Sequence, residues 1–208
     1  MIFYIDFDNT LYETARLTPT MLSRIASSIS EKISVDKNSV YEDAKNSFNS
    51  SVDNIYEHAK KMAIKYNIDS DYVVNEVRDV VNHGEQFIFE DARRFLQKLK
   101  DANHKVILLT YISKGNQEYQ LQKVNGSGIA NMFDAMIITT EPKNTLDLNY
   151  ENGIFIDDNP RDLEGLNSMN PLRLIRIRKP NTKRSNIDMD IENMEEYVTF
   201  DDISIDFN

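Results

Sequence analysis

The stretch Ile2-Phe3-Tyr4-Ile5-Asp6-Phe7-Asp8-Asn9-Thr10-Leu11 decides how this chain reads. Its first four residues are apolar, with β-branched and aromatic side chains. That predicts a short strand buried on both faces, as in the middle of a parallel sheet. Two carboxylates follow at once. Alternation along an extended segment puts Asp6 and Asp8 on the same side, and in a parallel sheet ligands gather at the carboxyl ends of strands. A single Asp-x-Asp after a strand is commonly only a turn, so its meaning depends on the rest of the chain.

Working outward, four more runs have similar length and content: Lys105 to Thr110, Ala135 to Thr139, Gly153 to Asp157 and, less cleanly, Leu172 to Ile177. Helical spacing lies between several of them. Ala92, Phe95, Leu96 and Leu99 share a face ahead of the second run, and Tyr119, Leu121 and Val124 mark a shorter helix before the third. Strands alternating with helices predict an α/β fold with a parallel sheet. Residues 13–89 break this rhythm and read as an all-helical insertion. Thr18-Pro19 starts a helix carrying Leu22, Ile25, Ile29 and Ile33, and Val40, Tyr41, Ala44 and Phe48 mark a second. Val52 to Tyr66 hold a third, and Val73 to Val81 a fourth that Gly84 closes. Such stripes bury against one another as a small bundle.

The composition sets limits. The chain has 208 residues, 24 basic and 34 acidic side chains, a net charge of −10, and 40% apolar residues with no cysteine or tryptophan. That is one domain, or one domain with an insertion, large enough to build its core without disulfides or structural zinc. The absence of cysteine excludes thiolate metal sites and cysteine nucleophiles. The charge argues against a dedicated nucleic-acid binder. No run approaches a membrane span or a signal peptide, so a soluble, cytoplasmic protein is expected. From Asn181 onward the chain carries eight acidic and two basic side chains. Tyr197 to Phe200 could form a terminal strand, whereas Asn181 to Glu196 reads as a solvated, mobile connection.

Three further features give Asp6 and Asp8 their context. Asp157-Asp158-Asn159-Pro160 again ends an apolar strand, and two crowded carboxylate pairs in one domain call for a neutralising partner such as magnesium, a hard cation with oxygen ligands. Thr110 ends the second strand, and Lys143 lies in the loop after the third. Alone, either would be structural or solvated.

Taken in order, strand–Asp6-x-Asp8-x-Thr10, strand–Thr110, loop Lys143 and strand–Asp157-Asp158 resembles the haloacid dehalogenase (HAD) superfamily, in its phosphatase-like branch. The resemblance covers most of the chain. It implies a Rossmann-like three-layer core from residues 1–12 and 90–208, a helical cap at 13–89, and strands ending at Asp6 and Asp157 as neighbours, with Thr110 on the other side of Asp6. It also implies a Mg2+-dependent phosphomonoester hydrolase acting on a small phosphorylated metabolite. Asp6 would attack phosphorus, ionised with no activation required, and form an aspartyl-phosphate. Asp8 would be the general acid and then the base. Thr110, Tyr111, Asn9, Thr10 and Lys143 would face the phosphoryl group. Asp6, Asp8 through its carbonyl, and Asp157 would hold the metal, with Asp158 holding a metal-bound water or orienting Lys143. An acid at position 8 favours an alkoxide leaving group over halide, which leaves without a proton.

Lys143 and Asp157 are only 14 positions apart, too few for the full helix common between these motifs, so Lys114 is a spare candidate for the lysine. Two other readings keep the fold: a phosphomutase that passes the phosphoryl group to another hydroxyl, and a catalytically quiet binding module. The chain is expected to be a monomer or homodimer without nucleic-acid or membrane partners. His58, His83 and His104 show no metal spacing and read as surface residues. Tyr41, Phe48, Tyr56, Tyr66 and Tyr72 read as packing, and Tyr12 and Arg16 as lining the entrance.

Overall fold

The computed structural model describes residues 1–48 and 54–205. Six strands form one sheet: β1 (Ile2–Ile5), β2 (Lys105–Tyr111), β3 (Ala135–Thr139), β4 (Gly153–Asp157), β5 (Arg173–Ile177) and β6 (Met194–Tyr197). Their order is β3-β2-β1-β4-β5-β6, and every pairing is parallel. The helices are α1 (Thr14–Ile33), α2 (Lys37–Ser47), α3 (Ile55–Lys65), α4 (Ser70–Asn82), α5 (Glu90–Asp101), α6 (Gln117–Gly126) and α7 (Pro160–Asn167). No described helix is long and apolar enough to cross a membrane.

Alternation along the strands builds the layers. Phe3, Ile5, Val106, Leu108, Ile154 and Ile156 face one side, where Phe95, Leu96 and Leu99 of α5 cover them. Tyr4, Ile107, Leu109, Phe155 and Leu174 face the other, against Leu163 and Leu166 of α7. The result is the expected three-layer α/β core of Rossmann-like form, with β1 at the centre between β2 and β4. Register places the ends of β1, β2 and β4 at one edge, since Ile5 pairs with both Leu108 and Ile156.

The described part of residues 14–82 holds four helices, α1 to α4, joined by short turns and loops, and no strand. α1 packs on α2 and α4, and α3 on α4, through the predicted stripes. Several boundaries differ from expectation. α1 begins at Thr14, so Pro19 lies inside the helix, not at its start. The reason is tertiary: the Thr14 hydroxyl donates to Asp8, and the Glu13 carbonyl accepts from the N–H groups of Arg16 and Leu17. Gly84 does not close α4; it opens a short 3-10 turn, Gly84–Phe87. Val52, expected in the third helix, lies outside the described residues. His58 is buried at 1% exposure, its ring 5.0 Å from Phe48, and His104 is half-buried with its ring 5.2 Å from Phe3; only His83 lies exposed as expected.

The acidic end is also more ordered than its charge suggests. β6 begins three residues before Tyr197 and ends there, while Phe200–Asp202 form a 3-10 turn instead of extending the strand. Arginines neutralise the strand's acids: Arg173 donates to both carboxylate oxygens of Glu195, and the buried Arg176 pairs with Glu196 at 2.9 Å.

Candidate active site

The first strand delivers its carboxylates through a tight loop. Leu11 and Tyr12 both donate N–H bonds to the Phe7 carbonyl, and Asn9 sits at φ 63°, a left-handed conformation that asparagine tolerates better than most residues. Asp6 is thereby left at the carboxyl edge of the sheet, 7% exposed. Thr10 is fully buried and donates to Asp6 Oδ2 at 3.3 Å, so it braces the carboxylate. Asn9 Oδ1 is buried and has no hydrogen-bond partner among the described residues.

Asp157 ends β4 beside Asp6, and the next residue, Asp158, begins the turn into α7. Each of Asp6, Asp157 and Asp158 offers one carboxylate oxygen, and these atoms lie within 4.8 Å of one another. Lys143 reaches into the cluster, donating to Asp6 Oδ1 at 2.7 Å and Asp157 Oδ2 at 2.5 Å. The short connection permits this because Lys143–Thr145 form a single 3-10 turn. Lys114 is exposed on the loop after β2.

Burial, with Asp157 beside it, pushes the Asp6 carboxyl up to about 7 although Lys143 opposes the shift. Burial thus opposes the ionisation that the residue type alone suggests, and Lys143 favours it. Burial also raises Asp157 against the pull of Lys143. Asp158 is pushed up to about 8 by burial and by the Asp157 and Asp6 charges. Burial works against the Lys143 ammonium, but Asp157 and Asp6 outweigh it and hold its pKa above the ordinary lysine range. Three carboxylates here meet two cations, Lys143 and Arg184, a formal excess of one negative charge.

That excess, an all-carboxylate donor set and one orphaned atom fit a hard divalent cation. Asp158 Oδ2 is buried with no hydrogen-bond partner among the described residues. Asp158 Oδ1 accepts from Arg184 at 2.8 Å, so this residue is tied to the segment after β5 and does not orient Lys143.

Asp8 points elsewhere. Its carboxylate accepts from Lys123 at 2.5 Å, from Gln120 at 2.8 Å and from the Thr14 hydroxyl, so any part it takes in cation binding falls to its backbone carbonyl. Burial tends to raise its pKa, but Lys123, Thr14 and Gln120 hold it below the ordinary carboxylate range. Thr110 is buried at the end of β2, with Oγ1 3.2 Å from Gln120 Nε2, whereas the Tyr111 side chain is 48% exposed. Sequence reasoning missed Lys123, Gln120, Thr14 and Arg184. Only the first two left a trace, as polar residues three apart on a predicted helix.

Fold and site together define a hydrolase built on a Rossmann-like parallel sheet. The chain belongs to the haloacid dehalogenase-like hydrolase family, whose model matches residues 1–170. Among solved structures, it is similar to a HAD phosphatase from Thermococcus onnurineus, with 16% identity and a TM-score of 0.61, covering 96% of this chain and 94% of that one. A haloacid dehalogenase-like hydrolase from Burkholderia xenovorans LB400 aligns at TM-score 0.66 and 12% identity, covering 97% and 93%. A protein from Thermotoga maritima named as a β-phosphoglucomutase aligns at TM-score 0.57 and 15% identity, covering 85% and 84%. No curated protein matches the sequence.

Proposed function

We propose that this protein is a magnesium-dependent phosphomonoester hydrolase of small phosphorylated metabolites, working through an aspartyl-phosphate. The observation that carries this reading is the pairing of two sites on one loop. Asp6 faces a cation-sized cluster with Asp157 and Asp158, and Asp8, two residues on, is held apart from it beside Thr110.

Asp6, Asp157 and Asp158, with the Asp8 carbonyl, would hold Mg2+, whose charge lowers the Asp6 pKa and offsets repulsion between that carboxylate and an anionic phosphate. An Asp6 oxygen forms a bond to phosphorus as the bond to the ester oxygen breaks. Asp8 passes its proton to that leaving oxygen. It then takes a proton from the water that attacks the phosphorus and releases inorganic phosphate from Asp6. The first step needs Asp8 protonated. The incoming phosphate dianion favours that form, because nearby negative charge raises a carboxyl pKa. Thr110 and the Tyr111 N–H would hold the phosphoryl oxygens, and Lys143 would offset charge on Asp6 as it reacts.

The helical segment 13–89 would act as a cap that closes over the site and excludes water. A cleft lined by Tyr56, Arg78, Gly115 and Tyr119 lies where α3 and α4 face the start of α6, so this segment and the core are not fully packed together there. Enclosure by such a cap suits metabolites better than phosphoproteins or nucleic acids.

The test is phosphate release from para-nitrophenyl phosphate and a panel of sugar and nucleoside phosphates with Mg2+, comparing wild type with Asp6→Asn. We expect turnover by the wild type and a loss of about 10³-fold or more in the variant. Equal rates would refute the nucleophilic role.

A further inference from the structure

Helix α6 is built unlike a helix that only packs. Leu121 is 44% exposed, while Gln120 and Lys123, three residues apart and so on one face, are 2% and 3% exposed. Both buried side chains end on the same group. Lys123 Nζ donates to Asp8 Oδ1 at 2.5 Å, Gln120 Nε2 donates to Asp8 Oδ2 at 2.8 Å, and the same amide lies 3.2 Å from Thr110 Oγ1. Aromatic rings enclose the ammonium, Tyr119 at 5.1 Å and Phe7 at 5.7 Å from their centroids.

Removing an ammonium and a primary amide from water is costly even when they are paired, and a pair of aliphatic residues would pack α6 on the sheet at less cost. Packing therefore does not account for them. What both contacts share is Asp8, and what Gln120 adds is Thr110.

We propose that Lys123 and Gln120 are positioning residues for the reaction. Together they hold both oxygens of Asp8, and Gln120 sets Asp8 at a constant spacing from Thr110. The group that serves the leaving oxygen and the hydroxyl that receives the phosphoryl oxygens then move as one unit. This rests on the phosphate-ester reading above.

The consequence is selective. Asp8 matters in proportion to how much the leaving oxygen needs a proton, so a misplaced Asp8 harms alkyl esters most. Para-nitrophenolate leaves as a stable anion, and an alkoxide does not.

Steady-state kinetics with Mg2+ on glycerol phosphate and on para-nitrophenyl phosphate test this, using Lys123→Met, Lys123→Arg and Gln120→Leu. Thermal melts establish that each variant is folded. The expected result is that Lys123→Met lowers kcat on the alkyl ester about tenfold more than on the aryl ester, with KM little changed. Gln120→Leu shifts the ratio the same way, and Lys123→Arg, which keeps a donor, recovers much of it. Equal losses on both esters in the folded variants, or no loss, would overturn the proposal while leaving the hydrolase reading intact. A wild type that turns over neither these esters nor any sugar or nucleoside phosphate of the panel would overturn that reading and this proposal with it.

Discussion

At the scale of single residues, charge is managed in two ways. Three carboxylates of the candidate site crowd together, whereas the half-buried Asp91 has donors of its own. Asp91 on α5 accepts from Lys179, from the Thr199 hydroxyl at 2.7 Å and from the Phe200 N–H at 2.9 Å, so one carboxylate joins α5 to the loop after β5 and to the terminal turn. Burial pushes the Asp91 pKa up, but these donors outweigh it and hold it below the ordinary value. A depressed carboxyl stabilises the fold above its unfolded pKa and loses that contribution as pH falls through its folded value. Urea unfolding midpoints of the wild type are thus expected to drop as pH is lowered below about 4. An Asp91→Asn variant, with this group no longer titrating, should be less stable at pH 7 and lose less on acidification. A steeper acid loss in the variant would show that Asp91 is not the group responsible. The sequence made Asp6, Asp8, Asp157 and Asp158 visible because each follows an apolar run. It hid Asp91 and Lys179, which carry no pattern of their own and meet only through the chain's return.

Among the elements, the strands were the most legible. A strand buried on both faces needs an unbroken apolar run, and β1 to β4 show one; β5 is interrupted by Arg176, yet all five lie within a residue of their expected bounds. β6 was less so: its Glu195 and Glu196 become strand residues because Arg173 and Arg176 on the adjacent β5 pair with them. α6 was legible as a helix, with Val124 buried as expected, but not in its face: Leu121 points outward, and Gln120 and Lys123 take buried positions. Its C-terminal residue, Gly126, sets how closely it meets α4: a Cβ there would lie 2.1 Å from the Val81 carbonyl oxygen and 2.9 Å from Asn82 Cα. Backbone cannot yield cheaply at such distances. Gly126→Ala is therefore expected to cost about 1–3 kcal/mol, measured by chemical denaturation, despite alanine's better helix propensity. A neutral or stabilising effect would mean that α4 and α6 part more readily than their packing suggests.

For the whole molecule, a cation held by the acidic cluster would couple folding to metal. A cation bound only by the native state stabilises it by mass action, about 2.7 kcal/mol at a hundred times the dissociation constant. Mg2+ is accordingly expected to raise the melting temperature of the wild type in a concentration-dependent way and to do so far less for Asp157→Asn. An identical shift in both would place the cation elsewhere. The sequence by itself determined the α/β class, the helical character of the segment after β1 and four strand-end carboxylates, because burial periodicity and local motifs are properties of neighbouring residues. Only the tertiary structure decided that Lys143, not Lys114, reaches Asp6, that Arg184 holds Asp158, and that Lys123 and Gln120 hold Asp8. Those contacts join residues 26 to 137 positions apart, and nothing local to either partner encodes them; they exist because a parallel sheet brings the ends of distant strands to one edge.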